Sequence, residues 1–179
     1  MRIISGFLGK RRLKLPKNLR LRPTTDIAKE GLFNILNNRL FFEEMRVLDL
    51  FAGTGNISYE FISRGVQSAT IVESNLVHFK YITSVKKDLG LQNLMTIKAD
   101  VFKFLEYNTQ EFELIFADPP YDLEELKEIP EKIFAKTHLS KKGLFILEHP
   151  EEYDFSDTPH FLELRRYGKV HFSFFQKLE

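Results

Sequence analysis

The sequence predicts an α/β fold in which a mainly parallel sheet is covered by helices on both faces. Three observations lead there. From Met45 onward, short apolar runs alternate with stretches of helical periodicity. The runs are continuously apolar, as strands buried on both faces require. Towards the end the pattern changes: 160–166 and 169–177 flank Gly168 and read as an antiparallel pair completing the sheet.

Each element has its own signal. Residues 47–51 (Val-Leu-Asp-Leu-Phe) form the first strand, followed by a glycine turn and a helix over 56–64. The second strand, 69–73, leads to a helix over 75–89, and the third, 94–97, to Asp100 and a short helix. The fourth, 112–117, runs into a Pro-Pro turn and a helix over 123–136; 143–147 is the fifth. Upstream, Arg2-Ile3-Ile4 and 12–15 (Arg-Leu-Lys-Leu) enclose Gly6 and Gly9, which suits a basic hairpin. Pro16 and Pro23 bracket a loop. Thr24, Thr25 and Asp26 are N-cap candidates for a helix with Ile27, Ala28, Leu32, Phe33, Ile35 and Leu36 at apolar positions, Gly31 being its weak point. The expected organisation is a basic extension over 1–40 joined to a compact unit over 41–179.

Composition narrows the classes. The 179 residues suit one domain, and 43% hydrophobic residues can fill a core. No stretch approaches the roughly 20 apolar residues of a membrane span, and Ile3-Ile4 is too short for a signal-peptide core. The absence of cysteine excludes a disulfide scaffold and any thiolate metal site or nucleophile. The five histidines show no metal-ligand spacing, and the acidic run from Glu148 to Asp157 lacks calcium-loop spacing and reads as a solvated connection. A cytoplasmic monomer without metal is expected. The net charge of +1 hides an asymmetry: residues 1–30 carry nine Lys or Arg against two acids, and the remainder 17 basic against 23 acidic side chains. That suggests a polyanion-facing arm on an acidic body.

Ligands of such a sheet bind beyond the carboxyl ends of its strands. After the first strand, Asp49 and Phe51 lead into Gly53-Thr54-Gly55, which lets backbone approach a ligand at a helix N-terminus. Ser58 replaces the third glycine of the dinucleotide fingerprint, which weighs against a nicotinamide dehydrogenase. Glu73, ending the second strand 20 residues after Gly53, can accept from both ribose hydroxyls. Asp100 can accept from an adenine amino group, cap the helix that starts at Val101, or do both. Phe51 and Phe102 are expected near the cofactor. The sharpest signal is Asp118-Pro119-Pro120-Tyr121 after the fourth strand. Two prolines stiffen the loop and remove two backbone donors, so an ionised Asp118 and the Pro119 carbonyl present acceptors only. Accepting both hydrogens of an exocyclic amino group localises its lone pair and makes the nitrogen nucleophilic. Tyr121 offers a face on which an extruded base can stack.

The order Asp49-x-Phe51-Ala-Gly53-Thr-Gly55, Glu73, Asp100, Asp118-Pro-Pro-Tyr121 resembles the class I methyltransferases. Met1-Arg-Ile-Ile-Ser-Gly6, Lys10-Arg11-Arg12-Leu13, Arg22-Pro23-Thr24-Thr25-Asp26 and Lys29-Glu-Gly-Leu-Phe-Asn34 extend the resemblance, over nearly the whole chain, to the bacterial small-subunit rRNA guanine-N2 methyltransferase family. The resemblance implies a seven-stranded Rossmann-like core, S-adenosylmethionine as cofactor, and N2-methylation of one guanine of 16S rRNA in an assembling small subunit. Carried onto this chain, Gly53 and Gly55 would cradle the methionine part of the cofactor with Asp49 nearby. Glu73 would hold the ribose, Asp100 and Val101 would lie at the adenine, and Asp118, Pro119, Pro120 and Tyr121 would hold the base. Lys10, Arg11, Arg12, Arg22, Thr24 and Thr25 would contact RNA, with Ile27 where a basic residue is expected. The Asp-Pro-Pro-Tyr loop recognises an amino group and not a particular base, so an adenine-N6 or DNA amino-methyltransferase remains open. A non-catalytic RNA-binding assembly factor is the competing class.

Overall fold

Strand β1 (Arg46–Leu50) lies at the centre of a seven-stranded sheet ordered β3-β2-β1-β4-β5-β7-β6 in the computed structural model, which describes residues 1–16, 19 and 25–177. β2 (Ser68–Glu73), β3 (Leu94–Lys98), β4 (Phe112–Ala117) and β5 (Leu139–His149) run parallel to it. β7 (Val170–Gln176) pairs antiparallel with both β5 and β6 (Phe161–Tyr167). A two-residue turn with Gly168 at φ +62° joins β6 to β7. Strand order reverses between β1 and β4, the switch point where such sheets open a crevice.

Apolar residues on one face of the sheet pack against α1 (Asp26–Asn37), α2 (Asn56–Ser63) and α3 (Leu76–Leu89). Those on the other face pack against α4 (Val101–Tyr107) and α5 (Ile129–Phe134). Phenylalanine fills much of both layers, as in the edge-on pair Phe33–Phe61 at 4.7 Å; burying one such side chain contributes roughly 1.5–3 kcal/mol.

Three predicted elements need revision. The helix over 123–136 is a 3-10 turn, Glu124–Glu128, followed by α5, because Pro130 is accommodated only in a first helical turn. β5 begins at Leu139, four residues early, because Phe112 pairs with Leu139 ahead of a register shift. Gly31 is no weak point: a Cβ there would lie 2.1 Å from the Tyr167 ring, so glycine lets β6 approach α1. The N-terminal hairpin exists, closed by an antiparallel bridge between Arg2 and Arg12 and by Ile3 N–H to the Arg11 carbonyl at 3.0 Å. Ile3 and Leu8 insert into the core, so this segment is built into the α1–α2 layer.

Candidate active site

The β1–α2 turn needs left-handed backbone at Phe51 (φ +59°), Gly53 (+56°) and Gly55 (+77°). A side chain on Gly55 would also meet the Tyr59 ring at 2.8 Å. Glu73 fixes the turn's conformation: its carboxylate accepts Gly53 N–H at 2.8 Å and Asn75 N–H at 2.7 Å, with His78 Nδ1 at 3.6 Å. Asp100 is exposed at the end of β3 and caps α4 through Lys103 N–H at 3.0 Å, with Val101 buried behind it. Phe51 and Phe102 meet edge-on at 6.2 Å. The predicted cofactor residues thus converge along the carboxyl ends of β1, β2 and β3.

Beneath the turn, Asp49 is buried and accepts the Ser58 hydroxyl at 2.6 Å. Burial pushes its carboxyl up to about 7, an effect that Ser58 opposes and Glu73 reinforces. Ser58 stands where a dinucleotide fingerprint has glycine, and this hydrogen bond is the physical use of the replacement. The hydroxyls of Tyr59 and Tyr81 are buried without a hydrogen-bond partner among the described residues, and Tyr59 directly underlies Gly55.

The Asp118 loop leaves β4 with Asp118 N–H bonded to the Leu50 carbonyl at 3.3 Å, and turns back through Leu123 N–H to the Pro120 carbonyl at 3.0 Å. Pro119 is buried and Pro120 exposed; Tyr121 remains 40% exposed. From sequence, Asp118 is expected to be ionised; burial, and then the neighbouring carboxylates of Glu148 and Asp49, push its carboxyl well above the usual carboxylate range, and hydrogen-bond donors or positive charge act the other way.

Glu148 is the residue that sequence reasoning missed. The solvated connection holds for Glu151, Glu152, Asp154 and Asp157, which are exposed, but Glu148 is 3% exposed and continues β5. Its Oε1 lies 3.4 Å from the Tyr121 hydroxyl. The available signal was position: it extends the apolar run of 144–147 without a break. A cavity of about 430 Å³ adjoins Tyr121, lined by Lys127, Pro150, Glu152 and Tyr153. A larger groove, about 560 Å³, lies at the opposite, amino-terminal edge of the sheet beside Arg46 and Leu94.

The basic arm divides into two sets. Lys10, Arg11, Arg12 and Lys14 are exposed on the hairpin. Arg2 and Lys29, counted with them from sequence, serve the fold. Arg2 pairs with Glu30 at 3.0 Å and Asp26 at 3.6 Å. Lys29 is fully buried, donating to Asn56 Oδ1 at 2.8 Å and the Arg2 carbonyl at 2.6 Å, with Glu60 at 3.6 Å. Burial lowers the Lys29 ammonium below its ordinary range, partly offset by Glu60. Glu60 in turn accepts Ile4 N–H, Ser5 N–H and Arg64 Nε, so α1, the hairpin and α2 are tied at the residue following Gly55. Thr25 caps α1 through Ala28 N–H, and Ile27 is 75% exposed. Arg22 and Thr24 lie outside the described residues. Among the described residues, no cluster of acids and histidines is arranged to hold a metal, and no helix is long and apolar enough to cross a membrane.

A Rossmann-like sheet with this strand order, a glycine turn braced by an acid on β2, and Asp-Pro-Pro-Tyr after β4 define a class I methyltransferase. The chain belongs to the family described as Conserved hypothetical protein 95, whose model matches residues 1–176. It is 34% identical over 165 residues to YlbH of Bacillus subtilis, named for a suggested rRNA methyltransferase activity, covering 88% of this chain and 87% of that protein. It is 28% identical over 180 residues to ribosomal RNA small subunit methyltransferase D of Escherichia coli, covering 99% and 90%. The solved structure of the Escherichia coli protein yhhF, described there as a methyltransferase, superposes with a TM-score of 0.86 at 26% identity, covering 99% and 98%.

Proposed function

We propose that this protein is a cytoplasmic enzyme that methylates the exocyclic N2 amino group of one guanine in 16S rRNA (the guanine-966 type) within an assembling small subunit, using S-adenosylmethionine. The observation that carries the reading is the Asp118-Pro119 edge, where the Asp118 carboxyl and a proline carbonyl lie at the sheet's switch point beside the glycine turn. The names of the relatives support rRNA as substrate.

The residues present fit the cofactor. Left-handed glycines bring backbone to the ligand, and the orphaned Tyr59 hydroxyl below Gly55 suits the polar amino-acid end. Glu73, oriented by two backbone amides, would hold the ribose hydroxyls, and Asp100 with Val101 the adenine edge. When bound, the cofactor supplies an electrophilic methyl on a positively charged sulfonium. Asp118 and the Pro119 carbonyl would accept the two amino hydrogens, which keeps the nitrogen lone pair directed out of the base. Asp118, whose ionised form those donors and the nearby positive charge would favour, then takes the proton released from nitrogen. Tyr121 would stack on the base, which must be unpaired to enter. Positioning therefore supplies much of the rate. Lys10, Arg11 and Arg12, with Arg22, Thr24 and Thr25, would hold the RNA backbone as an extension over 1–40, serving a monomeric domain over 41–179.

Incubation with labelled S-adenosylmethionine and naked 16S rRNA, small subunits or DNA, followed by digestion to nucleosides, tests this directly. N2-methylguanosine from the ribosomal substrates is expected. N6-methyladenosine or labelled DNA would replace the proposal with an adenine-directed or DNA-directed enzyme, and no label in any substrate would favour a binding factor.

A further inference from the structure

Asp-Pro-Pro-Tyr explains how an amino group is held but not how guanine is told from adenine or cytosine, whose amino groups meet the same two acceptors. A second acid beside the first supplies the missing discrimination. Ala117 on β4 pairs with Leu147 on β5, so Asp118 and Glu148 emerge side by side where these strands end. Strand alternation places both on the sheet face that carries Asp49, Phe116 and Ile146, the face covered by α1 and α2. Glu148 is nearly buried there, and its Oε1 accepts from the Tyr121 hydroxyl at 3.4 Å. A carboxylate presents about four lone-pair sites, so the Tyr121 contact does not by itself exhaust Glu148 as an acceptor.

We infer that Glu148 accepts the N1–H of the target base while Asp118 accepts its amino group, so that the two acids form a double-acceptor edge selective for guanine. The inference rests on the functional reading above. Guanine alone among the four bases presents a ring N–H next to its amino group. Adenine and cytosine put a ring-nitrogen lone pair in that place, which would face the Glu148 carboxylate and be repelled. A site built to bind an N–H rejects analogues lacking it far more strongly than a site that discriminates by shape alone. Among the charges that raise the Asp118 carboxyl, Glu148 acts more strongly than Asp49, as expected for neighbours on adjoining strands.

The test replaces the target guanine in reconstituted small subunits with 2-aminopurine, which keeps the 2-amino group and lacks N1–H. The wild-type enzyme is expected to prefer guanine in kcat/KM by about 100-fold or more. Glu148→Gln keeps an acceptor for Tyr121 but can donate an amide N–H to an unprotonated ring nitrogen. Its preference should therefore fall to within about tenfold, through lower activity on guanine and maintained or raised activity on 2-aminopurine. Equal wild-type turnover of both bases would overturn the inference without recourse to any variant. So would a Glu148→Gln enzyme whose preference for guanine is unchanged, whatever its absolute activity, the result expected if Glu148 only positions Tyr121. Guanine methylated at N2 without this discrimination would leave the functional reading standing and remove Glu148 from it; a wild-type product other than N2-methylguanosine would remove both.

Discussion

The two halves of the crevice use carboxylates in opposite ways. In the half beyond β1, β2 and β3, Glu73 and Asp100 accept hydrogen bonds from backbone amides within their own or a neighbouring turn. They brace the chain and are in place before any ligand arrives. Beyond β4 and β5, Asp118 and Glu148 leave adjoining strands side by side, and burial followed by the charges of Glu148 and Asp49 raises the Asp118 carboxyl well above its ordinary range. The first arrangement is a finished scaffold; the second is a cluster of acids on adjoining strands that offers acceptors to a donor entering the crevice. On the proposed function, the difference teaches that rigidity would suit a cofactor presented identically in every turnover, and that a cluster of acids would suit a nucleobase that must be recognised and deprotonated.

Substitutions on either side of the divide should therefore separate binding from chemistry. Asp118→Ala has the largest expected effect: methyl transfer falls by about 1000-fold or more, while S-adenosylmethionine affinity by calorimetry changes less than about twofold. Near-normal turnover would dissolve the functional distinction between the halves. Next in size, Lys10→Glu, Arg11→Glu and Arg12→Glu together should weaken rRNA binding by about 100-fold at moderate salt and reduce the log–log salt slope by about 2, as three lost single-strand phosphate contacts require. Charge reversal is the right instrument, because deleting the arm would remove the buried Ile3 and Leu8 and leave Glu60 without its backbone donors. Unchanged affinity would separate the arm from the pocket. Glu73→Ala should show the converse of Asp118→Ala, a cofactor affinity about 10- to 100-fold weaker with the chemical step preserved at saturation.

The smallest effect concerns stability at the seam between the halves. Asp49 titrates near 7 in the fold, above an unfolded aspartate. The folded state therefore holds the extra proton between pH about 4 and 7, and its stability falls as pH rises through that window. Asp49→Asn cannot ionise and still accepts from Ser58, so its melting temperature should exceed wild type by roughly 5–10 °C at pH 8 and converge with it near pH 4. An identical melting temperature at pH 8 would mean that the acidic pocket carries no such cost.

The same division governs what could be read in advance. Glu73, Asp100 and the glycine turn act through neighbours along the chain or one βα unit away, so spacing alone located them. The Pro-Pro turn was legible because its stiffness is covalent. Gly31 looked like a flaw until Tyr167, far along the chain, was seen against it. Lys29 counts toward the basic charge of residues 1–30, yet Glu60 and Asn56 enclose it. Glu148 looked like part of a solvated acidic run until strand pairing set it beside Asp118.

By itself, then, the sequence determined the alternation of strands and helices, the turn chemistry and the place of the proline-stiffened Asp118 loop after β4, because these depend on periodicity and on backbone freedom fixed within a few residues. Only the tertiary structure decided which charges are buried, which carboxylates share a pocket, and how the N-terminal arm is locked to the glycine turn. Burial and charge proximity are properties of pairs distant in sequence, and they arise only when the sheet brings β1, β4 and β5 together.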